Sequence, residues 1–340
     1  MPERPRVTAV VLAYGPEPLL SECVDALLAS RGAVVDVVLV DNGCTTDMVD
    51  RLADRPGLHL VRPGHNTGFT GGCNLGAQHA AGQFLAFVNS DAVVQPDALA
   101  ALAGALEDPT IGLATAGLRL ADRPDLMNSA GNPVHYLGLS WAGALGEPAA
   151  AHATPADVAS ASGAAMACRL RTWRELGGMC ATLFAYSEDA ELSLRCWQRG
   201  LRVVYVPDAV VVHHYEFHRH PGKLYLLERN RLFTLLTVYE RRTLALLVVP
   251  LVGLELAVLA AALQQGWWRQ LLRGWWWLLA HHKTVRSRRV CVQAARLRSD
   301  RELAGVLTGR FDPGARSGIA VPPVLSRLSE AYWRVVRPLL

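Results

Sequence analysis

Residues 84–92 read FLAFVNSDA, five apolar residues followed directly by Asn89, Ser90 and Asp91. A short apolar run that ends in turn residues predicts a strand buried on both faces. Similar runs lie upstream, separated by segments of helical periodicity, at residues 7–13, 37–40 and 58–61. This alternation predicts an α/β fold whose open, mostly parallel sheet is flanked by helices.

Two of the predicted strands are followed by acids, because Asp41 comes directly after residues 37–40 and Asp91 lies in the turn after residues 84–88. Ligands of open α/β sheets bind beyond the carboxyl ends of the strands, so we expect both acids at one crevice. Carboxylates suit Mg²⁺ or Mn²⁺, which often also bind substrate phosphates, and Asp91 is therefore a candidate metal ligand. Asp41 is a candidate nucleotide contact. The alternative is that residues 41–43 (DNG) and 89–91 (NSD) form ordinary turns, in which such residues are common.

Residues 66–76, NTGFTGGCNLG, predict a glycine-rich loop that opens a helix. Glycines let a ligand approach the backbone closely, and a helix N-terminus favours an anion such as a diphosphate. The spacing matches neither the G-x-G-x-x-G dinucleotide pattern nor a P-loop. A loop that only turns the chain is the alternative.

Residues 187–195, SEDAELSLR, predict the start of a helix with Ser187 as its N-cap. Acids in a first helical turn often only complement the helix dipole. One of Glu188 and Asp189 can instead be a general base, since a helix terminus holds it rigidly at a cleft.

Further candidates follow the strands predicted at residues 203–206 and 209–212, which Pro207 and Asp208 separate. His213 and His214 end the second strand, and neutral imidazole suits a divalent metal. The sequence ERNR at residues 228–231 opens a helix, and its arginines can either hold a phosphate in bidentate fashion or remain solvated. The glycine- and proline-rich residues 119–160 predict a long connection.

The composition limits the class of protein. The chain has 340 residues, of which 51% are hydrophobic and 19% charged, so it is not disordered and is long enough for about two domains. A net charge of +4 gives no case for a nucleic-acid partner. The seven cysteines form no C-x-x-C pair, which favours a reducing cytosol over a zinc site or a disulfide framework.

The character of the chain changes after about residue 220, so we predict domains at residues 1–220 and 221–340. Residues 244–263 are nearly all apolar and long enough to span a bilayer, although they contain Glu255. A tryptophan cluster and an arginine-rich segment follow. Together they predict a helical region associated with a membrane surface. A helical hairpin packed on the α/β domain is the alternative.

The order of these motifs resembles the family 2 glycosyltransferases of the Rossmann-like GT-A fold, in particular the rhamnosyltransferase-like branch. The resemblance covers about residues 7–236. It is carried by the stretches VVLAYG, VVLVDNG, NTGFTGGCNLG, FLAFVNSDA, SAGN, SGAAMACRLRTWRELGG, YSEDAELSLRCWQRG, VPDAVVVHH and ERNRLFTLL.

The resemblance implies an inverting transfer from a nucleotide-diphosphate sugar. Asp189 would be the catalytic base, paired with Glu188. Asp91 would hold Mg²⁺ or Mn²⁺, with His213 on its far side and His214 less favoured. Donor binding would fall to Asp41, Asn42, Asn66, Gly68, Phe69, Gly72, Asn74, Asn89, Arg229 and Arg231.

The resemblance also suggests L-rhamnose from dTDP-rhamnose as the donor sugar, and the apolar tail suggests a lipid-linked glycan acceptor at the inner face of the cell membrane. Another donor with a small soluble acceptor, or a nucleotidyltransferase, is the alternative. A nicotinamide dehydrogenase is disfavoured because the first turn lacks the glycine fingerprint. Asn89 departs from the family's D-x-D motif, where an acid is common, so the metal would have fewer carboxylate ligands.

Overall fold

The computed structural model describes residues 4–214, 222–312 and 322–340. The predicted domain boundary between residues 220 and 221 lies outside the described residues. The first part of the chain contains β1 (Arg6–Gly15), α1 (Leu20–Leu28), β2 (Val34–Cys44), α2 (Met48–Leu52), β3 (Leu58–Val61), α3 (Gly68–Gln78), β4 (Phe84–Val88), β5 (Ala92–Val94), α4 (Ala98–Ala105), β6 (Ile111–Leu120) and β7 (Met127–Ser129).

The remainder of the chain is increasingly helical. It contains β8 (Ala156–Asp157), β9 (Ala165–Arg169), α5 (Leu170–Leu176), α6 (Glu188–Gln198), β10 (Arg202–His213), α7 (Lys223–Val238), α8 (Arg241–Gln265), α9 (Trp268–Ala280), α10 (His282–Ala294), α11 (Asp300–Leu303) and α12 (Pro323–Val336). The connection predicted at residues 119–160 holds only β7, β8 and a short 3₁₀ helix besides the end of β6.

The sheet is mixed and has the strand order β3-β2-β1-β4-β9-β6-β10-β5. Six of these strands run in one direction, and β9 and β5 run against their neighbours. The predicted α/β fold with a mostly parallel sheet and flanking helices is therefore confirmed. The antiparallel β9, inserted between β4 and β6, was not predicted.

Two strand boundaries differ from the predictions. The strand predicted at residues 37–40 extends to Cys44, so Asp41 lies inside β2. The two strands predicted around Pro207 and Asp208 are one strand, β10, whose register with β6 shifts between Val206 and Val210. Proline cannot donate a ladder hydrogen bond, so the irregularity falls at Pro207 without ending the strand.

Helices cover both faces of the sheet. Successive side chains of β1 point to opposite faces, with Val7, Ala9 and Val11 toward the α1 and α4 side and Val10 and Leu12 toward α3, α5 and α6. Its near-continuous apolar sequence is thus explained by burial on both sides. A third apolar cluster joins α6 to α7, α8, α10 and α12.

Candidate active site

The glycine-rich loop is held by Asn42, which is buried near the end of β2. Its Oδ1 accepts hydrogen bonds from Thr67 N and Thr67 Oγ1, both at 2.8 Å. Its Nδ2 donates to Asn66 Oδ1 at 3.2 Å and to Gly68 O at 3.1 Å. The polar atoms of Asn42 therefore fix the loop, and they are engaged inside the protein.

Gly68 and Gly72 of the predicted loop lie in α3, and packing explains why both are glycine. A Cβ at Gly72 would lie 2.4 Å from Leu12 Cδ2, so glycine lets α3 approach β1 closely. A Cβ at Gly68 would lie 2.5 Å from Phe184, and Gly68 has a φ of +74°. The sequence predicts close approach of a ligand to these glycines, and the contacts observed are close packing against β1 and Phe184.

Asn74 joins α3 to the loop after α5. Its Nδ2 donates to Met179 O and its Oδ1 accepts from Met179 N, both at 2.9 Å. Both polar atoms are used within the protein, so this contact favours a scaffolding role over the predicted donor contact.

Asp41 forms a local turn at the end of β2. Its Oδ1 accepts from Cys44 N at 3.0 Å and from Gly43 N at 3.3 Å. Its Oδ2 lies 3.7 Å from Arg62 Nε, and a quarter of the side chain is exposed (25%). The side chain is therefore partly open to solvent, and the predicted nucleotide contact of Asp41 stays a prediction.

Asp91 and His213 come together through the antiparallel pairing of β5 with β10. Ala92 pairs with His213, and His214 N donates to Asp91 O at 3.0 Å. As a result His213 Nε2 lies 3.3 Å from Asp91 Oδ1, and both side chains are buried. The other ring nitrogen, Nδ1, lies 2.9 Å from Asn128 Oδ1 on β7.

This pair fits a divalent cation that is shared with a phosphate-containing substrate. It offers one carboxylate oxygen and one imidazole nitrogen, oriented by Asn128 in the way that outer residues orient metal-binding histidines. Sites shared with substrate phosphates often use only one or two protein carboxylates. Within the described ranges, no group of three or more His, Cys, Asp and Glu side chains is arranged to hold a metal.

The acid pair lies at the start of α6, as predicted. Asp189 Oδ1 accepts from Ala190 N at 2.8 Å, and Oδ2 accepts from Gly163 N at 3.2 Å and from Asn132 Nδ2 at 3.4 Å. Burial raises the pKa of Asp189. Burial and the neighbouring Asp189 charge raise the pKa of Glu188.

Gly163 brings the two halves of the site together. A Cβ at Gly163 would lie 3.7 Å from Asp189 Cβ and 3.8 Å from Phe69 Cε1, so Phe69 of α3 and Asp189 converge there. The next residue, Ala164, accepts through its carbonyl from Asn89 N at 2.9 Å. The predicted metal-binding turn and the predicted base are therefore neighbours through β4 and β9.

Arg229 and Arg231 make internal contacts instead of the predicted open phosphate site. Both are buried inside α7, which begins at Lys223, so the prediction that ERNR opens a helix is wrong. Arg231 pairs with Glu228 at 2.8 Å and also with Glu255. Arg229 Nη2 donates to Leu183 O at 2.7 Å and to Thr182 O at 3.0 Å. Their guanidinium groups are satisfied by the protein, and these contacts favour structural roles.

Four residues near the site were not singled out from the sequence. They are Asn128 beside His213, Asn132 beside Asp189, Asn230 in α7 and Lys223, whose Nζ lies 5.3 Å from the Tyr186 ring centroid. Burial lowers the pKa of Lys223 to about 8. Two of them lie in quoted motifs, Asn132 in SAGN and Asn230 in ERNR, so the motifs gave a signal without giving the role.

Comparison with known proteins decides the family. The model of the family described as "Glycosyltransferase like family 2" matches residues 5–232. The chain belongs to this family. The resemblance predicted from the motifs is therefore confirmed at the level of the family, and the rhamnosyltransferase-like branch stays a prediction.

Two relatives illustrate the family match. The pre-mycofactocin glycosyltransferase of Mycobacterium tuberculosis is 30% identical over 183 residues, which cover 52% of this chain and 37% of that protein. The O-antigen biosynthesis protein RfbC of Myxococcus xanthus is 28% identical over 222 residues, which cover 62% of this chain and 17% of that protein. The matches thus span well under half the length of these relatives.

Solved structures show that this family 2 chain has the GT-A fold. The structure of GalNAc-T7 with UDP, GalNAc and Mn²⁺ aligns with a TM-score of 0.60 at 17% identity, covering 72% of this chain and 51% of that one. The mannosyltransferase PcManGT from Pyrobaculum calidifontis, in complex with GDP-Man and Mn²⁺, aligns with a TM-score of 0.52 at 20% identity, covering 86% of both chains.

Proposed function

We propose that this chain is an inverting, metal-dependent glycosyltransferase that moves a sugar from a nucleotide-diphosphate donor to a hydroxyl group of a glycan acceptor. The observation that carries the proposal is the convergence described above. A half-buried, hydrogen-bonded Asp189 lies beside Gly163, and the Asp91–His213 pair lies at the end of the adjacent strand. A base next to a candidate diphosphate site is what this reaction needs.

Asp189, and not Glu188, is the proposed base. Two backbone amides and one side-chain amide donate to the Asp189 carboxylate, and such bonds favour its charged form. Burial and the neighbouring Asp189 charge raise the pKa of Glu188, which disfavours its ionised form. The raised pKa of Asp189 also makes it a stronger proton acceptor than a solvated Asp.

The reaction follows from this placement. Asp189 takes the proton of the acceptor hydroxyl while the hydroxyl oxygen attacks the anomeric carbon of the donor sugar. The bond from that carbon to the nucleoside diphosphate breaks at the same time. One displacement inverts the anomeric configuration. Asp91 and His213 would hold Mg²⁺ or Mn²⁺, which stabilises negative charge on a leaving diphosphate. Residues 66–76, most of which lie in α3, and Asp41 would hold the donor, for which dTDP-rhamnose is our specific candidate.

The second part of the proposal is association with a membrane surface. Among the described residues, α8 is the one helix long and apolar enough to cross a membrane, and 6% of its most apolar window is buried. Val249 and Leu256 of α8 are 76% and 61% exposed, and Trp276 of α9 is 70% exposed. Apolar helices with aromatic neighbours and basic ends are typical of interfacial segments.

The contacts of α8 favour a helix that lies on the membrane instead of crossing it. Glu255 turns inward, where it pairs with Arg231 and accepts from Trp275 Nε1 at 2.8 Å. Leu246 O accepts from Tyr332 of α12, and Ala262 is buried near the other end. One side of α8 is thus attached to the protein along its length, and the opposite side would enter the lipid.

This placement suggests where the enzyme works. A lipid-linked acceptor in cell-envelope polysaccharide synthesis would share the membrane surface with the enzyme, which raises the encounter rate. The cytosolic face is proposed because all seven cysteines are free, as is usual in a reducing compartment.

The first test is calorimetric titration of the full chain with a panel of nucleotide-diphosphate sugars, in Mn²⁺ and then in EDTA. We expect metal-dependent binding of one pyrimidine nucleotide sugar. Asp189→Asn should keep that binding and lower turnover by about 10²–10⁴-fold, because only the base is lost. Asp91→Asn should weaken the metal-dependent part of binding.

The matched control is Asp54→Asn, the same change at an exposed acid after α2. It should leave binding and turnover unchanged. Wild-type turnover by the Asp189 variant would remove that residue from the mechanism, and donor binding that EDTA does not affect would remove the metal.

A further inference from the structure

The segment that leads into the acid pair has an unusual backbone. Residues 181–187, here called the support segment, end directly before Glu188. Phe184, Tyr186 and Ser187 have φ values of 65°, 69° and 65°. Side chains other than glycine rarely adopt this left-handed region, and such residues persist only where surrounding contacts hold them. The position of Asp189 therefore depends on what holds the support segment.

Asn230 of α7 holds the segment from one side. Its Nδ2 lies 2.9 Å from Leu183 O, 2.8 Å from Ala185 O and 2.7 Å from Tyr186 O. These acceptors lie on both sides of Phe184 and extend to the residue before Ser187. Asn230 is fully buried, so water does not compete for the same carbonyls.

Arg229 completes this contact. It donates to Thr182 O and Leu183 O, and its Nε donates to Asn230 Oδ1 at 2.9 Å, which fixes the orientation of the Asn230 amide. Its guanidinium lies 4.8 Å from the Trp277 ring centroid on α9. The arginine is thus itself held in place.

The opposite side of the support segment contacts α3. Thr70 N donates to Phe184 O at 3.0 Å, and Phe184 packs against Gly68, which has no room for a side chain. The segment therefore lies between the predicted donor loop and α7.

We propose that Asn230, oriented by Arg229, is a positioning residue that fixes the support segment and so places the Asp189 carboxylate for proton abstraction. The inference rests on the proposed function, because it takes Asp189 as the base. In this proposal, the two central residues of the ERNR motif, Arg229 and Asn230, hold the backbone of the support segment.

The test uses Asn230→Asp in the full chain. Aspartate keeps the size of Asn230 and can still pair with Arg229, but it cannot donate to the three carbonyls. With dTDP-rhamnose or whichever sugar nucleotide the panel selects, we expect kcat to fall by about 10²-fold, since small misplacements of a reacting group have effects of that size. Donor affinity should stay within about threefold, and the acidic limb of the kcat–pH profile should move, because Asp189 loses its fixed surroundings.

A second variant separates positioning from a general loss of structure. Ser187→Gly places glycine at a positive φ, which glycine adopts freely, so the segment should need less support. In the Asn230→Asp background it should restore kcat by about tenfold, a coupling that a double-mutant cycle measures. Thr234→Ala, one turn further along α7, is the control and should change neither kcat nor the pH profile.

Hydrogen exchange gives a readout that does not depend on turnover. Amides of residues 181–189 should exchange about tenfold faster in Asn230→Asp than in the wild type, while those of β1 and β4 stay unchanged. If these amides exchange faster in the variant but the wild type turns over no sugar nucleotide, the proposed function fails. The conclusion that Asn230 holds the support segment would still stand. Unchanged kcat, an unmoved pH profile or no effect of Ser187→Gly would overturn the positioning role.

Discussion

The α/β part of the chain, residues 4–214, and the helical part after residue 221 differ in how many large apolar side chains they expose. In the α/β part, two large apolar side chains are exposed among the described residues, Tyr14 and Val34. In the helical part there are seventeen, most of them on α8, α9 and α12. In the α/β part, apolar side chains are buried on both faces of the sheet. The helical part instead exposes an apolar surface, and contact of such a surface with water is unfavourable.

The polar contacts at the junction between the two parts show the same division. Arg231 of α7 pairs with Glu228 and Glu255 inside the helical part, and its Nη1 donates to Leu137 O of the α/β part at 3.2 Å. Arg288 of α10 pairs with Glu191 of α6 at 2.6 Å. The charges of the helical part are thus directed inward at the junction, and the outer face of α8 is left apolar.

Removing the central cation of the junction should have the largest effect. Arg231→Met leaves two largely buried carboxylates without their partner, and we expect the free energy of unfolding to fall by about 3–5 kcal/mol. Urea denaturation of the full chain measures it. Arg269→Met, at an exposed position of α9, is the control and should change stability little. An equally small effect at Arg231 would mean that the two parts do not depend on this contact.

A pair of leucine substitutions tests the comparison directly. Leu39 of β2 is fully buried, so Leu39→Ala should lower the free energy of unfolding by about 2–5 kcal/mol. Leu256 of α8 is 61% exposed, so Leu256→Ala should change it by less than about 0.5 kcal/mol in detergent-free buffer. Both are followed by urea denaturation. Comparable losses would show that the outer face of α8 is covered within the protein itself, which would argue against a lipid-facing role.

The local features of the fold could be predicted from sequence. Apolar runs bounded by turn residues give the strands, and parallel strands put Asp41 and Asp91 at the same edge. The acids at the start of α6 and the long apolar helix were also visible, because their signals lie within a few neighbouring residues.

Features that depend on distant partners could not be predicted. The antiparallel insertion of β9 between β4 and β6 depends on pairings across about 80 and 50 residues of chain. Asn74 looked like a ligand contact, but its partner Met179 lies 105 residues away. Arg229 and Arg231 are predicted as phosphate ligands, but the acceptors that engage them include Leu183 O, 46 residues from Arg229, and Glu255, 24 residues from Arg231.

The docking of the C-terminal helix on the α/β part should depend on pH. His135 Nδ1 accepts from Leu137 N, and Nε2 lies 2.9 Å from Ser329 Oγ of α12, so the buried ring is neutral. Burial lowers the pKa of His135 to about 3. At pH values below about 6.5, the pKa of His135 in the unfolded chain, the unfolded chain binds a proton that the folded chain does not. The free energy of unfolding therefore decreases as the pH is lowered, by up to about 1.4 kcal/mol per pH unit.

The measurement compares unfolding of the wild type and His135→Gln at pH 7 and pH 5. The variant has no histidine to protonate at this position. The difference in free energy of unfolding between the wild type and the variant should therefore shrink by about 2 kcal/mol from pH 7 to pH 5. The difference isolates His135 from Glu188 and Asp189, whose raised pKa values act with the opposite sign. His281→Gln, an exposed histidine, should show no such change, and a pH-independent deficit at His135 would mean that the ring titrates normally.

The smallest predicted effect concerns the surface that distinguishes the two parts. Trp276→Ala should weaken partitioning of the full chain onto anionic phospholipid vesicles by about tenfold, which matches the partial burial of one large apolar side chain. Val34→Ala is the matched control, because Val34 is also an exposed apolar residue but belongs to the α/β part. Sedimentation with vesicles measures both. Equal effects would mean that exposure alone governs the binding, whereas a loss confined to Trp276 means that the helical part presents its apolar side chains to lipid as one surface.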